Sequence, residues 1–223
     1  MLIQIEKLKK NLSTALLALL IFTLNSCAQK FNIKELSKSG KIAILSDHTY
    51  RIFYVPNPFA EERERKDIEE IEAFLENFPL AKILRQKVYK ALINYDNTLN
   101  LVSDTTVDSM EDTYLQNFLM WAKKNQVNAI MYLESTIEIS YAYRSYSLPL
   151  KNYPKIWTKV TIINVKDSKV LWTKRIWTHM FDGTTTGLKS YSAYDTIFNR
   201  KYLEILIDRK IDYIVRSLVN SLF

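Results

Sequence analysis

The chain has 223 residues, 31 Lys and Arg against 24 Asp and Glu, and a formal charge of +7. Its single Cys excludes an intramolecular disulfide, and one Cys with two His falls short of the roughly four ligands of structural zinc. Three Gly, with no glycine-rich phosphate loop, exclude the common nucleotide-binding motifs.

Residues 1–26 read as a targeting segment. Lys7, Lys9 and Lys10 give a basic start, diluted by Glu6. Leu12 to Leu24 then runs without a charge. About 13 apolar residues are too few to cross about 30 Å of hydrocarbon as a helix, but they suit a secretory signal. The rest of the chain is globular in composition, with 48% hydrophobic and 25% charged residues. Its length predicts one domain, over residues 41–223. Residues 27–40 precede it as a short polar tether (Gln29, Lys30, Asn32, Lys34, Ser37, Lys38).

Lys41 to Ser46 reads as a short buried strand between Gly40 and Asp47. Tyr50 to Val55 has strand character, but Pro56 and Pro58 interrupt it. The charge run from Glu61 to Glu70 opens a helix whose apolar face carries Ile68, Ile71, Phe74, Leu75 and Phe78. Pro79 breaks or restarts it. Leu80, Ile83, Leu84, Val88, Ala91 and Leu92 continue it to about Asn94. Leu99 to Ser103 is expected as a second strand.

Tyr114, Leu115, Phe118, Leu119 and Ala122 mark a further helix. From Val127 onward the pattern alternates. Leu133, Ile137, Ile139, Tyr141 and Tyr143 face one way, and Glu134, Thr136, Glu138 and Ser140 the other. Such a strand has one wet face. Residues 155–165 and 170–179 form a hairpin about Lys166 to Lys169. Residues 182–197 are a polar loop, and Tyr202 to Leu222 form a terminal amphipathic helix. The predicted class is α/β (α+β): a single domain, a mixed sheet, and the order β-α-β-α-β-β-β-α with a C-terminal helix.

The apolar run ends in Leu24-Asn25-Ser26-Cys27. This resembles the lipobox of bacterial lipoproteins, with Leu at −3, a small residue at −1 and Cys at +1. The resemblance implies cleavage before Cys27 and acylation of its thiol, palmitate included, giving a membrane anchor. The alternative is an ordinary signal peptide followed by a stray Cys, or an uncleaved anchor. Ala28 and Gln29 follow, with no Asp at +2. By the sorting rules of that family this implies the outer membrane, facing the periplasm. Residues 1–26 hold three Lys and one Glu, so the remainder carries +5. Export removes most of the force of a nucleic-acid reading of that charge. Anionic lipid or wall polymer is the more natural counterpart.

The remainder resembles a second family. A strand follows the tether, two helical stretches flank another, and Asn128-Ala-Ile-Met-Tyr-Leu133 opens a third. Val165-Lys-Asp-Ser-Lys-Val-Leu-Trp172 then turns a hairpin. This is similar to the α/β domain of the curli-secretion lipoproteins, the Tol N-terminal domain and the penicillin-binding-protein activator lipoproteins. The turn carries Ser168 and Lys169 where that family has glycine. The resemblance implies envelope assembly or protein contact and supplies no catalytic residue. The curli-type pore needs long membrane hairpins. Here the stretch opposite residues 133–143 contains Pro149 and Pro154, which argues against one.

Candidate chemistry is sparse. Asp47 and His48 after the first strand, with Ser103 and Asp104 after the second, would gather at the carboxyl ends of parallel strands, where open α/β sheets bind ligands. That constellation could serve a periplasmic hydrolase with Asp47, His48 and Asp104 as acid–base residues. The ordinary account is that these residues make turns and caps. His179 reads as a sheet histidine. Asp104, Asp108, Glu111 and Asp112 lack the glycine and late Glu of a calcium loop, so no metal site and no cofactor are expected.

Aromatic residues offer a binding surface instead. Tyr143, Tyr146, Tyr153 and Trp157 crowd one loop and its flanks, and Tyr191 and Tyr194 another. Exposed Tyr and Trp favour partner contact. Core packing or contact with the membrane surface would use them equally well. The reading is a lipid-anchored envelope protein that is non-catalytic and binds an envelope protein partner. A hydrolase and a small-molecule carrier are the alternatives, and the oligomeric state stays open.

Overall fold

The computed structural model describes residues 30–55, 61–108, 115–142, 154–178 and 200–223. Cys27 and the signal-like segment lie outside these residues. The first described element is helix α1 (Ile33–Ser39). Asn32 starts it, its side chain accepting the Glu35 N–H at 3.4 Å. Gly40 ends it at φ 152°, a conformation that disfavours any side chain. A Cβ there would stand 1.9 Å from the Asn128 carboxamide. A tether would leave these residues in solvent. Instead Ile33 is fully buried, and the Phe31 N–H donates to the Ser221 carbonyl at 3.0 Å. The packed domain therefore begins before Gly40.

Lys34 ties the same helix to the turn after residue 95. Its ammonium lies 2.8 Å from the Asp96 carboxylate. That contact, then the Thr98 hydroxyl and N–H, hold the Asp96 pKa down to about 2, against an ordinary 3.8. A depressed acid contributes its stability in full above its ordinary value and loses it as pH falls through the folded one. We expect thermal stability to decline from about pH 4 to about pH 2, and Asp96→Asn to flatten that part of the profile in a melting series.

Strand β1 (Lys41–Val55) comes next. Helices α2 (Glu61–Asn77) and α3 (Leu80–Tyr95) follow, separated at Pro79 as the sequence predicts. Proline lacks the N–H that would continue the helical ladder and restricts the residue before it. On α3, Leu80, Leu84, Val88 and Leu92 recur every fourth residue, and all are buried. The expected strand at Leu99–Ser103 does not form. Only Leu101 pairs, in an isolated parallel bridge to Ile42. Its flanks leave no room. The Asp96–Thr98 turn ends just before it, and the Ser103 hydroxyl already accepts the Thr106 N–H of helix α4 (Asp104–Asp108).

Helix α5 (Leu115–Lys124) leads into β2 (Val127–Ala142). The hairpin forms as expected, with β3 (Lys155–Asn164) and β4 (Val170–Trp177). Helix α6 (Arg200–Leu222) closes the chain. The sheet order is β1-β2-β3-β4. β1 and β2 are parallel and the other pairs antiparallel, a mixed sheet in a single α/β domain.

The two faces of this sheet are covered unequally. One face carries Ile42, Ile44, Met131, Leu133, Ile137, Val160 and Ile162 under α1, α2, α3 and α6. The other has a small core of Ala43, Leu45, Ile130 and Val165 against Val107, Phe118 and Ala122. That cover reaches only the beginning of β1 and β2. Beyond Leu45 this side is bare of helices among the described residues, though Thr136 there is only 3% exposed.

Candidate functional site

The bare face can be read in rows across the four strands, because side chains alternate along each one. Asp47, Glu134, Lys159 and Arg175 form one row. Thr49, Thr136, Trp157 and Trp177 form the next, then Arg51, Glu138 and Lys155. Acid thus gathers on β1 and β2, base on β3 and β4, with Arg51 the exception.

Several of these groups are paired within the face. The Lys159 ammonium meets the Glu134 carboxylate at 2.8 Å. The Trp157 indole N–H donates to Glu138 at 3.2 Å. The Thr49 and Thr136 hydroxyls lie 2.9 Å apart. Trp157 and Trp177 have ring centroids 5.9 Å apart, and Trp177 is 52% exposed. Burial pushes the Tyr132 hydroxyl up to about 12, with help from the charges of Asp47 and Glu134 and a hydrogen bond to Asp47. It remains a neutral donor. The chemistry on offer is recognition: broad aromatic area framed by charge.

The structure does not assemble the Asp47, His48 and Asp104 constellation. β1 continues nine residues further than the sequence suggested, so Asp47 and His48 lie inside a strand and not after one. Neighbours in a strand point to opposite faces. Asp47 joins Tyr132 and Glu134 on the bare face. His48 pairs in register with Ser135, whose hydroxyl lies 2.9 Å from that of Thr158 on the covered face. Burial pulls the His48 pKa below its ordinary 6.5, against the opposing pull of Asp47. Asp104 begins α4 and holds Arg85 of α3, Oδ1 to Nε, at 2.7 Å.

Of the predicted aromatic contacts, Trp157 lies half-buried on the bare face. Tyr143, Tyr146, Tyr153, Tyr191 and Tyr194 lie outside the described residues, as do Cys27 and His179. Sequence reasoning missed Trp177 as the partner of Trp157, and Lys159 and Arg175 in the adjoining row. The period-two alternation of the hairpin held that signal, but only pairing in register shows which rows meet.

A groove of about 510 Å³ opens between α2 and α6, lined by Glu70, Ile71, Phe74, Asn77, Arg200 and Leu203. The Arg200 guanidinium sits over the Phe74 ring at 5.5 Å. Among the described residues no group of three acidic, Cys or His side chains could hold a metal ion. Nor is any described helix long and apolar enough to cross a membrane.

No known family model matches the sequence, and no curated protein matches it. Some solved structures are similar in part. The LpoB C-terminal domain from Salmonella enterica is 8% identical at a TM-score of 0.33, over 66% of this chain and 93% of that one. Lipoprotein GNA1162 from Neisseria meningitidis is 10% identical at 0.34, over 81% and 99%. A PelC dodecamer from Paraburkholderia phytofirmans is 14% identical at 0.27, over 76% and 86%. Likeness at these scores carries no argument about what this chain does.

Proposed function

We propose that this chain is a lipid-anchored cell-envelope protein whose domain works by protein contact and not by catalysis. The observation that carries the anchor is Leu24-Asn25-Ser26-Cys27 at the end of an uncharged apolar run. The sequence around Cys27 favours the outer membrane, facing the periplasm. Two findings support a contact role. Asp47 and His48 stand on opposite faces of one strand, and Asp104 is engaged by Arg85. The bare half of the sheet instead presents Trp157 and Trp177 with charges of both signs. Its occupant in this reading is an envelope protein with an apolar centre and flanking charge.

Complementation of a deletion strain tests this reading. His48→Ala is expected to complement in full, as a half-buried sheet residue without a chemical role would. The pair Trp157→Ala and Trp177→Ala is expected to fail while the protein still accumulates and melts as a folded domain. Loss of function in His48→Ala with an unchanged melt would instead favour the hydrolase, and full complementation by the tryptophan pair would reject the contact face.

A further inference from the structure

Among the described residues β1 is an edge strand of the sheet. The start of its free edge is occupied. The Ile42 N–H donates to the Asn100 carbonyl and the Ile42 carbonyl accepts the Val102 N–H, both at 2.9 Å. Ile42 therefore turns its backbone away from β2. The two-residue period gives Ile44, Ser46, His48, Tyr50, Ile52 and Tyr54 the same direction. Among the described residues, no backbone group pairs with this edge from Ala43 to Val55. The Asp47 carboxylate accepts the His48 N–H at 2.7 Å. An open edge of this length is a template for another strand.

The side chains along the edge say which strand fits. We propose that a second copy of this chain pairs with it, β1 against β1, antiparallel about a two-fold axis at Thr49. Thr49 is the midpoint of the free edge. With the axis there, Asp47 meets Arg51 of the second copy, and the symmetry makes that ion pair twice. Thr49 meets Thr49, Leu45 meets Phe53, His48 meets Tyr50 and Ser46 meets Ile52. Phe53 is 51% exposed in the single chain and gains an apolar neighbour.

Neighbouring registers do worse. An axis at His48 sets Leu45 against Arg51, and one at Tyr50 sets Asp47 against Phe53. Axes at Asp47 or Arg51 bring like charges together, which destabilises a cross-strand pair. The backbone agrees with the choice. Odd-numbered residues turn their N–H and C=O toward β2, so 47 with 51 and 49 with 49 become non-hydrogen-bonded pairs. In such pairs Cα atoms lie about 4.5 Å apart and side chains are closest. His48 with Tyr50 and Ser46 with Ile52 exchange the main-chain hydrogen bonds. Asp47 releases the His48 N–H to the second copy and turns to Arg51. The result is one continuous eight-stranded sheet. It requires neither the lipid anchor nor the tryptophan face.

Disulfide trapping in the full chain tests it, with Cys27→Ser in every variant so that the introduced thiol is the sole one. A non-hydrogen-bonded antiparallel pair has the Cα spacing a disulfide requires. Under mild copper-phenanthroline oxidation, Thr49→Cys should form a covalent dimer. Arg51→Cys alone and the exposed Lys169→Cys should stay monomeric. Asp47→Cys mixed with Arg51→Cys should dimerise only in the mixture. Sedimentation of the chain without added cysteines supplies the second readout. Arg51→Asp should weaken the dimer about tenfold or more, because two attractive cross-strand pairs become repulsive. Adding Asp47→Arg should restore it. Monomeric Thr49→Cys, equal trapping at Lys169→Cys, or a dimer unaffected by Arg51→Asp would overturn the proposal.

Discussion

The Cys27→Ser chain is expected to leave the membrane fraction almost completely. Each buried CH₂ of an acyl chain contributes about 0.8 kcal/mol, so several chains attach a protein in effect permanently. Serine offers no thiol for the first acyl transfer, and on the lipoprotein reading the later steps follow from that one. No described helix is long and apolar enough to cross a membrane. The measurement is fractionation with a high-pH carbonate wash, followed by the mass of the N-terminal peptide. Loss from the membrane, with acyl mass on Cys27 in the unaltered chain, supports the reading. Residues 1–26 still attached to the unaltered chain, with no acyl mass on Cys27, would show an uncleaved anchor instead. A soluble unaltered chain cut at another bond would show an ordinary signal peptide.

The second large effect is expected at Arg85. Its side chain is 10% exposed and meets the Asp104 side chain, itself 16% exposed, at 2.7 Å. This pair joins α3 to α4, and through α4 to the edge where Leu101 meets Ile42. Truncation to Ala would leave a carboxylate out of water without its partner, and breaking a buried pair costs about 3–5 kcal/mol. Water can still reach this site, which places the effect near the low end. Arg85→Ala is therefore expected to lose about 3 kcal/mol, a fall in Tm of roughly 6–12 °C for a domain of this size. Replacing both partners by apolar residues, Arg85→Met with Asp104→Leu, should recover most of the loss. Equal melting of Arg85→Ala and the parent would show that the pair contributes nothing to the fold.

The legible parts of this fold are those written in short-range pattern. Proline at 79 breaks a helical face whatever surrounds it, and α2 and α3 meet there. Apolar residues recur every fourth position along α3 and bury themselves. The hairpin lies within one residue or two of its expected limits. The misread parts depended on neighbours. Asp47 and His48 look like the end of a strand because polar residues interrupt an apolar run. In the sheet they are tolerated, since β2 supplies a partner for every residue of β1 and no described helix packs on the face above Asp47. Leu99 to Ser103 has strand composition, but the turn before it and the helix cap after it claim its ends. Residues 33–39 look like a polar tether because the one buried face of a short helix leaves little periodicity to read.

The candidate site divides along the same line. The sequence by itself carries the proposed address: one Cys, at the end of an uncharged run, after a basic start. Such a signal is read as a linear string and needs no fold. It also determined the class, a mixed α/β domain, because hydrophobic period depends only on residues close in the chain. Tertiary structure alone decided which residues share a surface. Asp47 and His48 are adjacent in sequence and lie on opposite sides of the sheet. Asp47, Glu134, Lys159 and Arg175 are scattered along the chain and stand in one row. Strand register puts them there, and register is set by hydrogen bonding between segments that no local pattern connects.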